Sequence, residues 1–157
     1  MSDNVFAPPK ANLEREASEE APALWNPNAA ANWCLLLSTA FGAYLHMKNW
    51  QALGEADLAL ASRRWLIVSV AVLTAAILGS AFFPRVSLAV NAAGFILLIS
   101  WYFASARAQA RYVRERFGDT YPRKGWLLPI FLGFVILYGT SIAVGLVIGF
   151  ARVAIHR

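Results

Sequence analysis

The sequence predicts an all-α protein, an integral membrane helical bundle with three transmembrane helices and, ahead of them, one segment that spans or re-enters the bilayer. Two observations carry this. The residues are 59% hydrophobic and only 15% charged, with a mean hydropathy of +0.50, against about 25% charged in a soluble domain. The charges also crowd into an N-terminal tail, two connecting loops and the last residues. Between them, residues 65–84, 86–106 and 125–151 contain no Asp, Glu, Lys or Arg. A helix needs roughly 20 apolar residues to cross the hydrocarbon core, and each run has that length. The chain is too short to wrap three such helices in polar structure.

The elements follow in order. Residues 1–24 form an acidic tail punctuated by Pro8, Pro9 and Pro22. The tail cannot bury enough apolar surface to offset its ordering, so disorder is expected. It lacks a basic start followed by an apolar core, so the first membrane segment is expected to serve as an uncleaved insertion signal. The membrane domain is expected over 25–157. Its first segment, 29–47, is apolar but interrupted by Asn32, Ser38, Thr39, Gly42 and His46. Asn26 suits its N-cap and Pro27 its first turn. Trp33, Tyr44 and Trp50 suit the membrane interfaces. Spanning or re-entry is favoured over lying on the surface. Helices are then expected at about 65–84, 86–106 and 126–151. Before the last of them, residues 107–124 form a basic loop. Arg107, Arg111 and Arg114 there share a helical face, which predicts a basic stem in an anchoring loop, with docking of lipid headgroups or an acidic partner as the sharper alternative. Gly118 can end that stem, Pro122 prevents its continuation and Trp126 anchors the last helix.

Orientation follows from Lys and Arg in short loops. One loop carries Lys48, Arg63 and Arg64, and another Arg107, Arg111, Arg114, Arg116, Arg123 and Lys124. The turn between the helices they flank has only Arg85. Both rich loops are therefore expected in the cytoplasm, with Arg85 and the C-terminus outside. If 29–47 re-enters, the tail is inside; if it spans, the tail is outside.

Small residues mark close helix contacts. Ser141, Gly145 and Gly149 share one face of the last helix, and Ala71, Ala75 and Gly79 make a similar stripe. The expected role is packing within the bundle, with dimerisation or partner docking as the functional alternative. No Asp, Glu, Lys or Arg lies inside the three runs, which argues against a proton-coupled transporter. Asn91 is expected to bond to a neighbouring helix. Cys34 reads as an inert packing residue, His46 as an interfacial side chain and His156 as unconnected to it. No metal ligand set, phosphate loop or nucleophile elbow is legible, so no catalytic, cofactor or metal site is expected. The net charge of +5 fits anionic lipid and topology better than nucleic acid.

Asn4-Val5-Phe6-Ala7-Pro8-Pro9-Lys10-Ala11 resembles a short leader seen before many small bacterial membrane proteins. Residues Trp25-Asn26-Pro27-Asn28-Ala29-Ala30-Ala31-Asn32-Trp33 and Ala40-Phe41-Gly42-Ala43-Tyr44-Leu45-His46-Met47-Lys48-Asn49-Trp50 resemble a family of small proteobacterial inner-membrane proteins. In that family a basic Tyr-Val-x-x-x-Phe-Gly-x-x-Tyr loop, matched by Tyr112 to Tyr121, precedes the last helix. The resemblance implies a membrane helical fold and no settled activity. Arg116-Phe117-Gly118-Asp119-Thr120-Tyr121 is also similar to the tail of isoprenylcysteine-type membrane methyltransferases. Their Arg-His-Pro-x-Tyr cofactor motif is missing here, which argues against that activity.

The overall form is similar to small multi-span immunity proteins that guard bacteria against pore-forming toxins. The expectation is thus a non-enzymatic bacterial inner-membrane protein that binds a partner within the bilayer, a toxin in the sharpest form, with a homo-oligomer as a further arrangement. The alternative is a membrane-bound enzyme or a transport accessory subunit.

Overall fold

The computed structural model describes residues 21–82, 85 and 87–155. The tail's expected disorder concerns residues that fall mostly outside these, and so do the leader resemblance and His156. Among the described residues the chain is all-helical, without a strand. Three helices, Ala56–Ser80, Leu88–Phe117 and Leu127–Ala154, are long and apolar enough to cross a membrane.

The first segment is not one helix but two. Asn26 caps α1 (Pro27–Leu37), its side-chain oxygen accepting from the N–H groups of Asn28 at 3.0 Å and Ala29 at 3.2 Å. Pro27, fixed in φ and without an N–H, suits the first turn, where no intrahelical donor is lost. The helix stops at Ser38, which takes φ 99°, outside the helical region. The chain then turns back as α2 (Thr39–Ala52). The two arms pack closely enough that a methyl group on Gly42 would overlap the Cys34 sulfur and lie 2.7 Å from the Trp101 ring. At 1.5 Å per residue the arms measure about 16 and 21 Å, each short of the roughly 30 Å hydrocarbon core. Trp25 and Asn49, at the two open ends, hydrogen-bond to each other. The segment 29–47, expected to span or re-enter, is therefore part of a helical hairpin whose two open ends lie together.

Its tip rests on the last helix, α6 (Leu127–Ile155). Gly133 leaves room there, since a Cβ would meet Leu37 at 3.0 Å and Phe41 at 3.1 Å. The Tyr138 hydroxyl lies 3.4 Å from the Leu36 carbonyl. Tyr138 is about 17 Å along α6, so the tip reaches about half the thickness of a bilayer core.

Helix α3 (Ala56–Phe82) starts nine residues ahead of the expected 65, and only Leu53 to Glu55 separate it from α2. Gly54 at φ 76° makes this turn, and the Glu55 N–H bonds back to the Trp50 carbonyl. Arg63 and Arg64 therefore belong to a helix and not to a loop. Charge marks where an apolar stretch stops, and a helix can run on past that point. Ala59, Ser62 and Ser69 form the buried face of α3, spaced at three and seven residues as one helical face requires.

The next span bends its own pattern. Helix α4 (Ser87–Trp101) passes through a wider π turn, Tyr102–Ala106, into α5 (Arg107–Phe117). The Arg107 N–H bonds to the Tyr102 carbonyl, five residues back. This extra residue shifts the buried face. Trp101, Ala106, Gln109 and Val113 are buried, where an unbroken α-helix would turn 101, 105, 108 and 112 inward. Gly118, at φ 60°, ends α5 with its N–H on the Arg114 carbonyl.

Candidate functional site

Two features meet at the base of the hairpin: a buried polar knot and the mouth of an apolar groove. The knot clamps residues 24–27. Leu24 donates its N–H to the Pro122 carbonyl and accepts from the Lys124 N–H, each at 2.9 Å. This short parallel bridge leaves Leu24 fully buried against Val113 and Tyr121. The packed region thus begins inside the stretch 1–24 expected as tail. The Asn49 side chain treats Trp25 as a strand neighbour would, accepting from its N–H at 3.0 Å and donating to its carbonyl at 2.8 Å. Asn49 also donates to Gln109 Oε1 at 3.2 Å, and Gln109 Nε2 donates to the His46 carbonyl at 2.9 Å. Asn49, Gln109 and His46 are all fully buried. Buried amides are tolerated because each polar group has a partner.

His46 is the clearest correction. Expected at an interface, it lies wholly inside, with Nε2 3.2 Å from the Pro27 carbonyl and its ring edge-on to Trp101 at 5.1 Å. A carbonyl can only accept, so Nε2 carries the proton. Burial pushes the imidazole from 6.5 down to about 4, because desolvation disfavours its charged form. Trp50, also expected at an interface, is buried and packs edge-on to Tyr112. The Tyr112 hydroxyl donates to Glu55 at 2.6 Å and accepts from Arg116 at 2.6 Å.

Above the knot, α3 and α6 diverge around the hairpin and leave a groove of about 630 Å³. Val70, Leu73 and Ile77 form one wall and Leu132 and Ile136 the other, with Phe41 and Tyr44 as floor. Trp25, Tyr44 and Leu128 line the end nearest the knot. Two cations stand on these rings, Lys124 4.4 Å from the centre of Trp25 and Lys48 5.9 Å from that of Tyr44. Trp25 is held in place by its indole N–H, which donates to the Gly125 carbonyl.

The residues singled out in the sequence are scattered. Arg107, Arg111 and Arg114 are exposed along one side of α5, with Arg107 against the Phe103 ring. A Cβ on Gly79 would lie 3.9 Å from Val90, inside the bundle, whereas Ala71 and Ala75 are exposed. Ser141 is half-buried, but Gly145 and Gly149 are exposed, and a Cβ on either meets nothing within 4 Å. Among the described residues nothing therefore packs closely on these two glycines. Asn91 is exposed on α4, not turned into a helix contact. Cys34 is buried, with its thiol 3.3 Å from the Ala30 carbonyl. Among the described residues no group of three His, Cys, Asp or Glu gathers to hold a metal ion.

Compared with family models, curated proteins and solved structures, the chain matches none.

Proposed function

We propose that this chain is a multi-pass protein of a bacterial inner membrane that acts by binding another membrane protein, not by turnover. The outer half of α6 carries the reading. Beyond Ser141 the helix offers Gly145 and Gly149 on an open face, flanked by exposed Ile142, Leu146 and Phe150. A Gly-x-x-x-Gly face lets a second backbone approach closely, and in lipid such packing substitutes for the missing hydrophobic drive. The sharpest form is an immunity protein that occupies the inserted helices of a pore-forming toxin. Protection would then rise with expression and survive Cys34→Ser. The test is to delete the gene and challenge cells with the toxin encoded beside it, following membrane potential. Loss of potential in the deletion strain alone is expected. Equal potential in both strains rejects immunity and favours an accessory subunit.

The orientation proposed with this reading puts the α5–α6 connection in the cytoplasm. The re-entering hairpin then puts the tail on the same side. A phosphatase fused near Asp119 should be inactive, and an active one would reverse the orientation.

A further inference from the structure

The groove between α3 and α6 and the two lysines at its mouth point to one occupant, and we propose that it holds an acyl chain of an anionic membrane phospholipid, with the phosphate between Lys48 and Lys124. The groove has a volume of about 630 Å³ and follows α6 from Leu128 to Val144, about 24 Å at the rise of a helix, so its length suits an extended acyl chain. The volume also falls within the roughly 300–1,000 Å³ of small-ligand sites.

Charge decides which lipid. Inside a bilayer an apolar wall does not by itself select a ligand, because lipid tails are as apolar as the wall. Selectivity must come from the mouth. There Trp25 and Tyr44 line the groove, and each carries a lysine over its ring. Among the described residues neither ammonium has a carboxylate partner, the ion pair nearby being Arg123 with Asp119 at 3.9 Å. Both lysines sit level with the base of the hairpin, where headgroups lie if the long helices span a membrane. Two cations there favour a net negative headgroup over a zwitterionic one by about fivefold each. This inference uses residues separate from the open α6 face and stands whether or not a protein docks there.

The test is native mass spectrometry of the full chain released from nanodiscs of equal phosphatidylglycerol and phosphatidylcholine. One retained phosphatidylglycerol is expected, preferred by about 25-fold. Lys48→Gln with Lys124→Gln should abolish the preference, and Lys48→Arg with Lys124→Arg should keep it. Thr74→Trp, which fills the groove from an exposed wall position, should expel the lipid while the helical circular dichroism stays unchanged. Equal retention of both lipids by the wild type overturns the proposal. So does a preference that survives loss of both lysine charges, or a lipid that stays bound in the filled chain. A retained second copy of the chain in place of lipid overturns it too.

Discussion

The base of the hairpin and the outer half of α6 obey opposite rules. At the base, three fully buried polar side chains, His46, Asn49 and Gln109, tie α2, α5 and the 25–27 backbone together. Beyond Ser141, the α6 side chains Ile142, Val147 and Phe150 are each more than half exposed. The contrast teaches where specificity resides in a chain this apolar. Leu and Val fill both regions, so apolarity cannot fix a unique arrangement. Directional bonds with no water to replace them can.

Four measurements would break or sharpen this contrast. The largest effect is expected from Asn49→Ala, which strands the Trp25 N–H, the Trp25 carbonyl and Gln109 Oε1. At about 1–3 kcal/mol per buried orphan, it should cost about 3 kcal/mol or more. Thermal unfolding in detergent reads this directly, and a loss under 1 kcal/mol would show that the knot is ornamental. Next is Gly42→Ala, whose added methyl has no room between Cys34 and Trp101. Overpacking costs about 1–3 kcal/mol, and Cys34→Ala in the same chain should return part of it.

The third concerns pH. The folded imidazole of His46 is held at about 4, against 6.5 when free. Between those values the unfolded chain takes up the proton first, so stability falls as pH falls. From pH 7 to pH 5 the contribution is about 2 kcal/mol. His46→Gln keeps a donor for Pro27 and should lose that part of the pH dependence; parallel curves for the two chains would contradict the buried neutral ring. The smallest effect on the fold is expected from Gly145→Leu with Gly149→Leu. It should leave unfolding within about 0.5 kcal/mol while weakening association with a partner helix by about 1–2 kcal/mol. A large loss of stability would mean that this face packs inside the chain after all.

Much of this architecture was legible from residue order. The uncharged runs give three long helices, Asn26 and Pro27 give the start of α1, and Gly118 gives the end of α5. Three things were hidden for physical reasons. Ser38 looks like an ordinary polar interruption, and its positive φ is imposed by the packing of the arms. The π turn at Tyr102–Ala106 changes the phase of a helix without changing its composition, so Gln109 could not be assigned to the interior. The partners of His46 and Asn49 are mostly backbone carbonyls and amides, which carry no sequence signature. Asn49 bonds to Trp25 and Gln109, 24 and 60 residues away. For the groove, the legible parts were Trp25, Tyr44, Lys48 and Lys124 as types. Their convergence depends on the hairpin.

The clamp on Leu24 and Trp25 also sets a clock for biosynthesis. The Trp25 indole bonds to Gly125, 100 residues later, and Leu24 bonds to Pro122 and Lys124. At about 5–20 residues per second, roughly 5–20 s pass between synthesis of the first partner and of the second. Throughout that interval Trp25 and the hairpin base lack their last contacts. The hairpin is therefore among the last of the described elements to lock, and its closure waits on the start of α6.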